Sequence, residues 1–158
     1  MTQELNSVPT IIGDFLNFNR NLVELPTKIT VPHEIKIGSC PYDVVYEEDR
    51  IRMLHYKPLT TKQTRIPLVI SYAIINRFYI FDIDPKKSWI RYLLENGFDI
   101  YMIDWGTPTN IDKFLGFDDY VNGYLDNCID HACDQSNVDK VSLQGYCTGG
   151  TLATIYSA

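Results

Sequence analysis

A cysteine flanked by glycines is the residue best placed to do chemistry. The run Gly-Tyr-Cys-Thr-Gly-Gly over residues 145–150 follows a short β-branched and apolar segment, 141–143, and precedes a helix-compatible segment, 151–158. Strand, Gly-x-nucleophile-x-Gly and helix together are the layout of a nucleophile elbow, with Cys where Ser is usual. At the amino end of the helix, free N–H groups and the helix dipole favour a thiolate and an oxyanion. Cys147 is therefore the predicted catalytic residue.

The glycines around Cys147 are expected to give the turn room. Side chains two residues before and after the nucleophile would collide, and Gly145 and Gly149 remove them, with Gly150 next in the chain. Two other interpretations of the motif compete with the elbow, and only the first stays open. A free cysteine beside a Gly-rich loop is commonly a buried apolar residue. A phosphate-binding loop is disfavoured, because no Lys-Ser/Thr pair follows the glycines.

Composition narrows the class of protein. The chain has 158 residues, 45% of them hydrophobic, which suits one compact domain with a sizeable core. Its net charge of −6 and the lack of a basic run argue against nucleic-acid binding. No apolar run reaches membrane-spanning length and no signal-peptide pattern is present, so a cytoplasmic location is predicted. The four cysteines show no zinc spacing, so they are expected to be free thiols, and no metal or other cofactor is predicted.

Hydrophobic patterns predict the elements that position the elbow. They indicate a leading helix and a connecting segment, then a β-hairpin, then three buried strands, the last leading into the elbow, separated by helices. In order, these elements cover residues 11–25, 27–40, 42–47 with 51–57, 67–73, 98–103 and 141–143, with helices starting at 84–85 and 117–119. Successive strand–helix–strand units imply a parallel sheet with right-handed crossovers.

The predicted fold class is α/β. It is the front half of an α/β-hydrolase fold, in which an N-terminal β-hairpin is followed by parallel strands with crossover helices that end at a nucleophile elbow. Residues 1–40 are assigned to the N-terminal helix and connecting segment. Residues 41–158 are assigned to a partial catalytic domain, truncated after the elbow helix begins.

One helical stripe separates core residues from reactive ones. It comprises Phe117, Tyr120, Val121, Tyr124, Leu125, Cys128, Ile129, Ala132 and Cys133. Cys128 and Cys133 are therefore predicted to lie in the core. His131 falls at the edge of the stripe and is interpreted as a boundary residue, and His55, on a strand, as a structural or surface histidine.

Four segments together resemble the catalytic subunit of class III polyhydroxyalkanoate synthases, which polymerise hydroxyacyl-CoA into storage polyester. They are YAIINRFY at 72–79, IDWG at 103–106, DDYVNGYL at 118–125 and GYCTGG at 145–150. The last is the least specific, because dienelactone hydrolases carry a similar run. The other three separate the synthases from those hydrolases. The resemblance extends from about residue 41 to the end of the sequence.

The resemblance implies a function for the elbow. Cys147 would carry the growing acyl chain as a thioester, taken from (R)-3-hydroxyacyl-CoA with release of CoA. In this fold the oxyanion donors are backbone N–H groups, here those of Thr148 and of Ile75 or Asn76. Asp104 is expected to be structural, because the acid of the triad follows the nucleophile in the chain. The implied partner is a second, non-catalytic synthase subunit, and the surface of polyester granules is a further candidate location.

The sequence departs from the family pattern after the elbow. The triad acid and histidine should follow Cys147, but all three histidines precede it. The expectation is that these residues are part of a longer catalytic subunit, are poorly soluble, and lack polymerase activity alone. Two alternatives stay open. One is a cysteine-dependent hydrolase of the dienelactone hydrolase or thioesterase type, which releases free acid. The other is a truncated homologue that acts only by association.

Overall fold

A β-hairpin forms one edge of the sheet. In the computed structural model, which describes residues 38–158, strands β1 (Tyr42–Glu48) and β2 (Ile51–Tyr56) pair antiparallel. Asp49 turns the chain between them with a φ of 52°, a conformation that Asp tolerates better than most residues. β2 buries most of its side chains, whereas the residues of β1 are half-buried or exposed. The predicted hairpin is confirmed.

Three parallel strands form the rest of the sheet. They are β3 (Leu68–Ser71), β4 (Ile100–Asp104) and β5 (Ser142–Gly145), and the strand order is β1-β2-β4-β3-β5. β4 and β5 both pair parallel with β3, and β2 pairs antiparallel with β4. Every residue of β3 and β4 is buried, as continuous apolar runs predict. The arrangement confirms the predicted front half of an α/β-hydrolase fold.

The first crossover helix begins later than predicted. Helix α1 covers Trp89–Glu95, and the Ser88 side chain caps it by accepting a hydrogen bond of 2.9 Å from the N–H of Arg91. The predicted start at 84–85 is wrong, because residues 85–87 form a turn. The Asp84 carboxylate accepts from the N–H of Lys86 at 2.9 Å, and such a local hydrogen bond competes with helix formation.

The second crossover helix begins at Phe117, within the predicted start, and becomes π-helical from Asp119. The π-helical segment, Asp119–Leu125, leads directly into α2 (Asp126–Ser136). The predicted stripe is buried at Val121, Tyr124, Leu125, Cys128, Ile129 and Ala132, while Cys133 is half-buried. Phe117 is 67% exposed, contrary to the prediction. A π segment has more residues per turn than the α spacing assumes, so it rotates the residues before it off the stripe.

The last strand and helix carry the predicted elbow. β5 pairs with β3 on one side and is the edge strand of the sheet within residues 38–158. It runs into α3 (Thr148–Tyr156) after two intervening residues. None of the helices in the described part of the chain is both long enough and apolar enough to span a membrane. The predicted leading helix, 11–25, lies outside the described residues, and the boundary at residue 40 stays a prediction.

A buried carboxylate fastens the first described residues to the loop that follows β3. Asp82 is fully buried and accepts hydrogen bonds from the N–H groups of Ser39 (2.6 Å) and Cys40 (2.7 Å) and from the Ser39 hydroxyl (2.5 Å). Burial acts to raise the pKa of Asp82, but hydrogen bonds from Ser39, Ser88 and Cys40 outweigh it and leave this pKa below the ordinary value. The ionised carboxylate is therefore the form that the fold stabilises.

Replacing Asp82 is expected to loosen this attachment. Both backbone N–H groups donate to one carboxylate oxygen, Oδ2, and the Ser39 hydroxyl donates to Oδ1. Asp82→Asn would remove the charge that strengthens these hydrogen bonds and would set an NH2 group against the Ser39 hydroxyl, at a cost of about 1–3 kcal/mol in the free energy of unfolding. Because the folded-state pKa is lowered, the contribution of Asp82 is complete above about pH 4 and is lost as pH falls through the lowered pKa. Urea unfolding across this range measures both effects. The exposed neighbour Asp84→Asn is the control, and an equal loss in the two variants would contradict the assignment.

Candidate active site

The predicted nucleophile sits on a strained turn. Cys147 lies between β5 and α3 with φ 56° and ψ −128°, a combination that L-residues rarely adopt. Such strain persists only where the surrounding structure imposes it, and it concentrates at functional sites. The predicted nucleophile elbow is therefore present in the backbone itself.

Two of the three elbow glycines are sterically required. A Cβ at Gly145 would lie 2.3 Å from the Cα of Gly150, and a Cβ at Gly149 would lie 2.3 Å from the carbonyl oxygen of Ser71. Both contacts involve backbone, which cannot give way as a flexible side chain can. A Cβ at Gly150 would have no neighbour closer than 3.5 Å, which is ordinary van der Waals contact. Gly150 lies in the motif but does not share the constraint.

Hydrogen bonds hold the turn on both sides. The N–H of Tyr146 donates to the carbonyl of Ser71 at 2.9 Å, which extends the β3–β5 pairing to the turn. The N–H of Gly150 donates to the carbonyl of Cys147 at 2.8 Å and starts the helix. The Tyr146 ring packs edge-on against Phe81, with centroids 5.1 Å apart. The turn is thus fixed to β3, to α3 and to the loop after β3.

Cys147 differs from the other three cysteines in exposure. It is exposed, whereas Cys40 and Cys128 are buried and Cys133 is half-buried. Burial raises the pKa of the Cys128 thiol to about 12, and burial together with nearby carboxylates also raises the pKa of the Cys40 and Cys133 thiols. The interpretation of Cys147 as a buried apolar residue is wrong. Cys128 is confirmed as a core residue.

The backbone N–H of Thr148, at the amino-terminal end of α3, is available to donate a hydrogen bond. As the first residue of that helix it has no acceptor within the helix. No loop carbonyl in residues 38–158 takes it either. The partial positive charge of a helix amino end adds to the field at this group. An N–H directly after the nucleophile, with no competing partner, suits an oxyanion.

The loop after β3 offers one amide rather than two. Its first turn is closed by the N–H of Asn76, which donates to the carbonyl of Ala73 at 2.8 Å, and the Asn76 side chain accepts from the N–H of Arg77 at 2.9 Å. Asn76 is thus occupied in holding its own turn. Among the described residues, no acceptor takes the N–H of Ile75. Of the two predicted alternatives, Ile75 is the one with a free donor in this conformation.

Asp104 organises the neighbouring turn. Its buried carboxylate accepts from the Arg52 guanidinium at 2.6 Å, from the Tyr72 hydroxyl at 3.2 Å and from the N–H of Gly106 at 3.1 Å. The indole N–H of Trp105 donates to the Tyr72 carbonyl at 2.8 Å. These contacts give Asp104 the structural role that the sequence predicted.

The same contacts join two sequence motifs that were analysed separately. Tyr72 and Arg77 belong to the segment after β3, and Trp105 and Gly106 to the turn after β4. A further bond runs from the Arg77 guanidinium to the Gly106 carbonyl at 3.2 Å. The sequence contained a usable signal, because both motifs follow parallel strands and must emerge at one edge of the sheet.

The described histidines are occupied elsewhere. The Nε2 of His55 lies 2.7 Å from a carboxylate oxygen of Asp99, and its ring stacks on Tyr101 with centroids 4.1 Å apart. His131 packs against Tyr46, with centroids 5.1 Å apart. Both have the structural placements that the sequence predicted. His33 lies outside the described residues. Within residues 38–158, no cluster of three or more His, Cys, Asp or Glu side chains is arranged to hold a metal ion.

The elbow glycines provide a matched pair of variants. Gly149→Ala is expected to lower the free energy of unfolding by about 1–3 kcal/mol, because its Cβ would push α3 away from β3. Gly150→Ala is expected to be neutral or to stabilise by up to about 1 kcal/mol, because alanine is the better helix former. Urea unfolding measures both. Equal destabilisation by the two substitutions would contradict the steric account.

Cysteine alkylation tests the exposure pattern. Folded protein treated with iodoacetamide at about pH 8 is expected to be modified first at Cys147, because attack requires access and a thiolate. Cys128 is expected to react only after unfolding, because burial both shields it and raises its pKa. Peptide mass mapping over time gives the order. Labelling of Cys128 as early as Cys147 in folded protein would refute this prediction.

Comparison with known proteins identifies the family and the fold. Residues 15–93 match the family model described as "Poly-beta-hydroxybutyrate polymerase (PhaC) N-terminus", and residues 67–158 match the alpha/beta hydrolase fold. Among similar proteins, the poly(3-hydroxyalkanoate) polymerase subunit PhaC of Haloferax mediterranei is 48% identical, with 79% of this chain and 25% of the relative covered.

Two further relatives carry the same name. The subunit from Haloarcula marismortui is 40% identical, with 83% of this chain and 29% of the relative covered. The subunit from Allochromatium vinosum is 39% identical, with 92% of this chain and 41% of the relative covered. The chain therefore spans between a quarter and about two fifths of the length of these relatives. On the family match and the fold, the chain belongs to the poly-beta-hydroxybutyrate polymerase (PhaC) N-terminus family and has the α/β-hydrolase fold.

Proposed function

We propose that this chain carries the nucleophile of a polyhydroxyalkanoate synthase, an acyltransferase that polymerises (R)-3-hydroxyacyl-CoA into polyester. The observation that carries the proposal is the exposed Cys147 on a turn with positive φ between β5 and α3, in a chain of this family. The printed names of the relatives, poly(3-hydroxyalkanoate) polymerase subunits, support the same reaction class.

The first step is acyl transfer to sulfur. The Cys147 thiolate attacks the thioester carbonyl of the acyl-CoA, a bond forms between that carbon and Sγ, and the bond to the CoA sulfur breaks. CoA leaves as a thiolate and takes up a proton. In the second step, the 3-hydroxyl oxygen of another acyl group attacks the Cys147 thioester. An ester forms, the Cys147 thiolate is expelled, and the hydroxyl proton passes to a base.

Backbone amides are proposed to stabilise the charge that develops on the carbonyl oxygen. The N–H of Thr148 is the first donor and the N–H of Ile75 the second, since neither has a competing backbone acceptor among the described residues. Two such donors in a preorganised site account for a large share of the rate acceleration in acyl transfer. The Asn76 side chain stabilises the turn that carries Ile75 by accepting a hydrogen bond from the N–H of Arg77. His55 contacts Asp99 and His131 packs against Tyr46, so neither is proposed as the base that accepts the proton.

The proposal extends to partner and location. As in the class III enzymes that the sequence resembles, we propose a second, non-catalytic subunit. We also propose a place of action in the cytoplasm, at the surface of polyester granules. The absence of a membrane-spanning helix in residues 38–158 is compatible with this. No nucleic-acid partner is proposed, because the net charge of −6 is unfavourable for binding phosphate backbones.

Acyl capture on Cys147 tests the proposal without requiring polymerisation. The chain is incubated with 3-hydroxybutyryl-CoA at about pH 9, where ordinary thiols ionise without a general base. The expected result is a mass increase of one 3-hydroxybutyryl group per chain, mapped to Cys147, with one CoA released. Intact-protein mass spectrometry and a thiol assay for CoA measure both quantities.

Two variants make this result specific. Cys147→Ala is expected to abolish the adduct although three cysteines remain, and Cys133→Ala is expected to retain it. An adduct of equal yield in the Cys147→Ala variant would overturn the proposal. Continuous CoA release that exceeds the chain concentration, with free acid as the product, would instead favour the cysteine hydrolase alternative.

A further inference from the structure

A cleft of about 490 Å³ opens at the same edge of the sheet as the elbow. Arg77 reaches it from the loop after β3, and Arg52 reaches it from β2, where it pairs in register with the last residue of β4. Cys147 follows the carboxyl end of β5, so the cleft and the thiol share the edge at which open α/β sheets bind ligands. The acyl transfer proposed for Cys147 uses none of the cleft's side chains.

The cleft carries an excess of positive charge. Asp104 neutralises Arg52, which donates to it from Nε at 3.2 Å and from Nη2 at 2.6 Å. Arg77 is exposed and donates to the neutral carbonyl of Gly106, and no carboxylate in residues 38–158 forms an ion pair with it. A guanidinium has five N–H donors, so both arginines keep donors for a ligand. An exposed arginine without a carboxylate partner can make charge-assisted hydrogen bonds to an anion.

Aromatic rings form another wall of the same cleft. Phe78 packs edge-on against Tyr42, with centroids 5.5 Å apart, and against Tyr79, with centroids 5.4 Å apart. Tyr42 and Tyr79 are half-exposed, so their rings remain accessible. Aromatic and guanidinium planes are the surfaces on which nucleobases stack. Phosphate donors and aromatic surface in one cleft fit a phosphorylated nucleotide better than either a simple anion or an apolar chain.

The distance along the sheet edge suits a substrate with two ends. β5, which carries the thiol, is separated from β2 by β3 and β4, that is by three strand spacings or about 14 Å. A CoA thioester has its reactive carbonyl at one end of an extended arm and its phosphorylated adenosine at the other. Its nucleotide must therefore bind away from Cys147 when the carbonyl is at Sγ.

We propose that the cleft between Arg52 and Arg77 binds the phosphorylated nucleotide of the CoA thioester. Arg77 donates to a phosphate oxygen, and the ring system of the base lies against the aromatic wall formed by Tyr42, Phe78 and Tyr79. This inference rests on the proposed function, because that function supplies the CoA ligand. It assigns to the cleft the part of the substrate that does not react.

Calorimetric titration tests the site independently of acyl transfer. The chain carrying Cys147→Ala, which cannot form a thioester or disulfide at that position, is titrated with CoA and separately with pantetheine, which lacks the nucleotide. CoA is expected to bind and pantetheine is not, and the affinity for CoA should fall with added salt. A chain that binds CoA no better than pantetheine, or binds neither, would overturn the assignment.

Arginine variants in the same background locate the site. Arg77→Ala is expected to weaken CoA binding about tenfold or more, because it removes a charge-assisted hydrogen bond. Arg77→Lys should lie between that variant and the parent. The matched control is Arg65→Ala, an exposed arginine outside the cleft, and it should bind as the parent does. Equal effects of Arg77→Ala and Arg65→Ala would refute the site. Acyl capture on Cys147 is scored separately, so either proposal can fail alone.

Discussion

The backbone contact between Gly149 and the end of β3 is the constraint on which the site depends. No side chain fits there, because a Cβ at 149 would lie 2.3 Å from the Ser71 carbonyl oxygen and 2.6 Å from that of Tyr72. Parallel pairing brings Ser71 level with Gly145, so α3 starts directly against the neighbouring strand. The chain must then reverse within two residues, and Cys147 takes up the strain at φ 56°. Its exposure is therefore a consequence of how the strand and helix pack.

A second layer of contacts connects this junction to the rest of the sheet edge. Tyr72 lies one residue beyond β3. Its backbone carbonyl accepts a hydrogen bond from the indole N–H of Trp105, and its side-chain hydroxyl donates one to Asp104. The loop that carries the free amide of Ile75 is thereby fixed to the turn after β4. The ring of Tyr146, in the elbow turn, packs edge-on against Phe81 in the loop after β3. The proposed nucleophile, the proposed oxyanion donors and Arg77 of the cleft all lie on loops that leave parallel strands at one edge of the sheet.

Residue patterns predicted the elements whose causes are local. The apolar runs of β3 and β4 required burial, and the glycine spacing around Cys147 required a tight turn. Features that a hydrophobic pattern does not encode, such as side-chain hydrogen bonds within turns and the pitch of a helix, escaped prediction. The Asx-type turn at Asp84 delayed α1 until Ser88, and the π segment turned Phe117 outward. The glycine spacing singled out Gly145 and Gly149 as the residues that give the turn room. A Cβ at either would lie 2.3 Å from a backbone atom, whereas a Cβ at Gly150 would have no neighbour closer than 3.5 Å. The engagement of the Asn76 amide by Ala73 likewise depends on the fold of its own loop.

The elbow is proposed to place the Cys147 thiol beside preorganised amide donors. A thioester gains from those donors because its carbonyl oxygen becomes an oxyanion during attack, whereas iodoacetamide does not. The most direct measurement is the ratio of the rate of Cys147 acylation by 3-hydroxybutyryl-CoA to its rate of alkylation by iodoacetamide, in folded chain and in chain unfolded by urea. We expect this ratio to be higher in the folded chain by about tenfold or more. An unchanged ratio on unfolding would contradict this expectation.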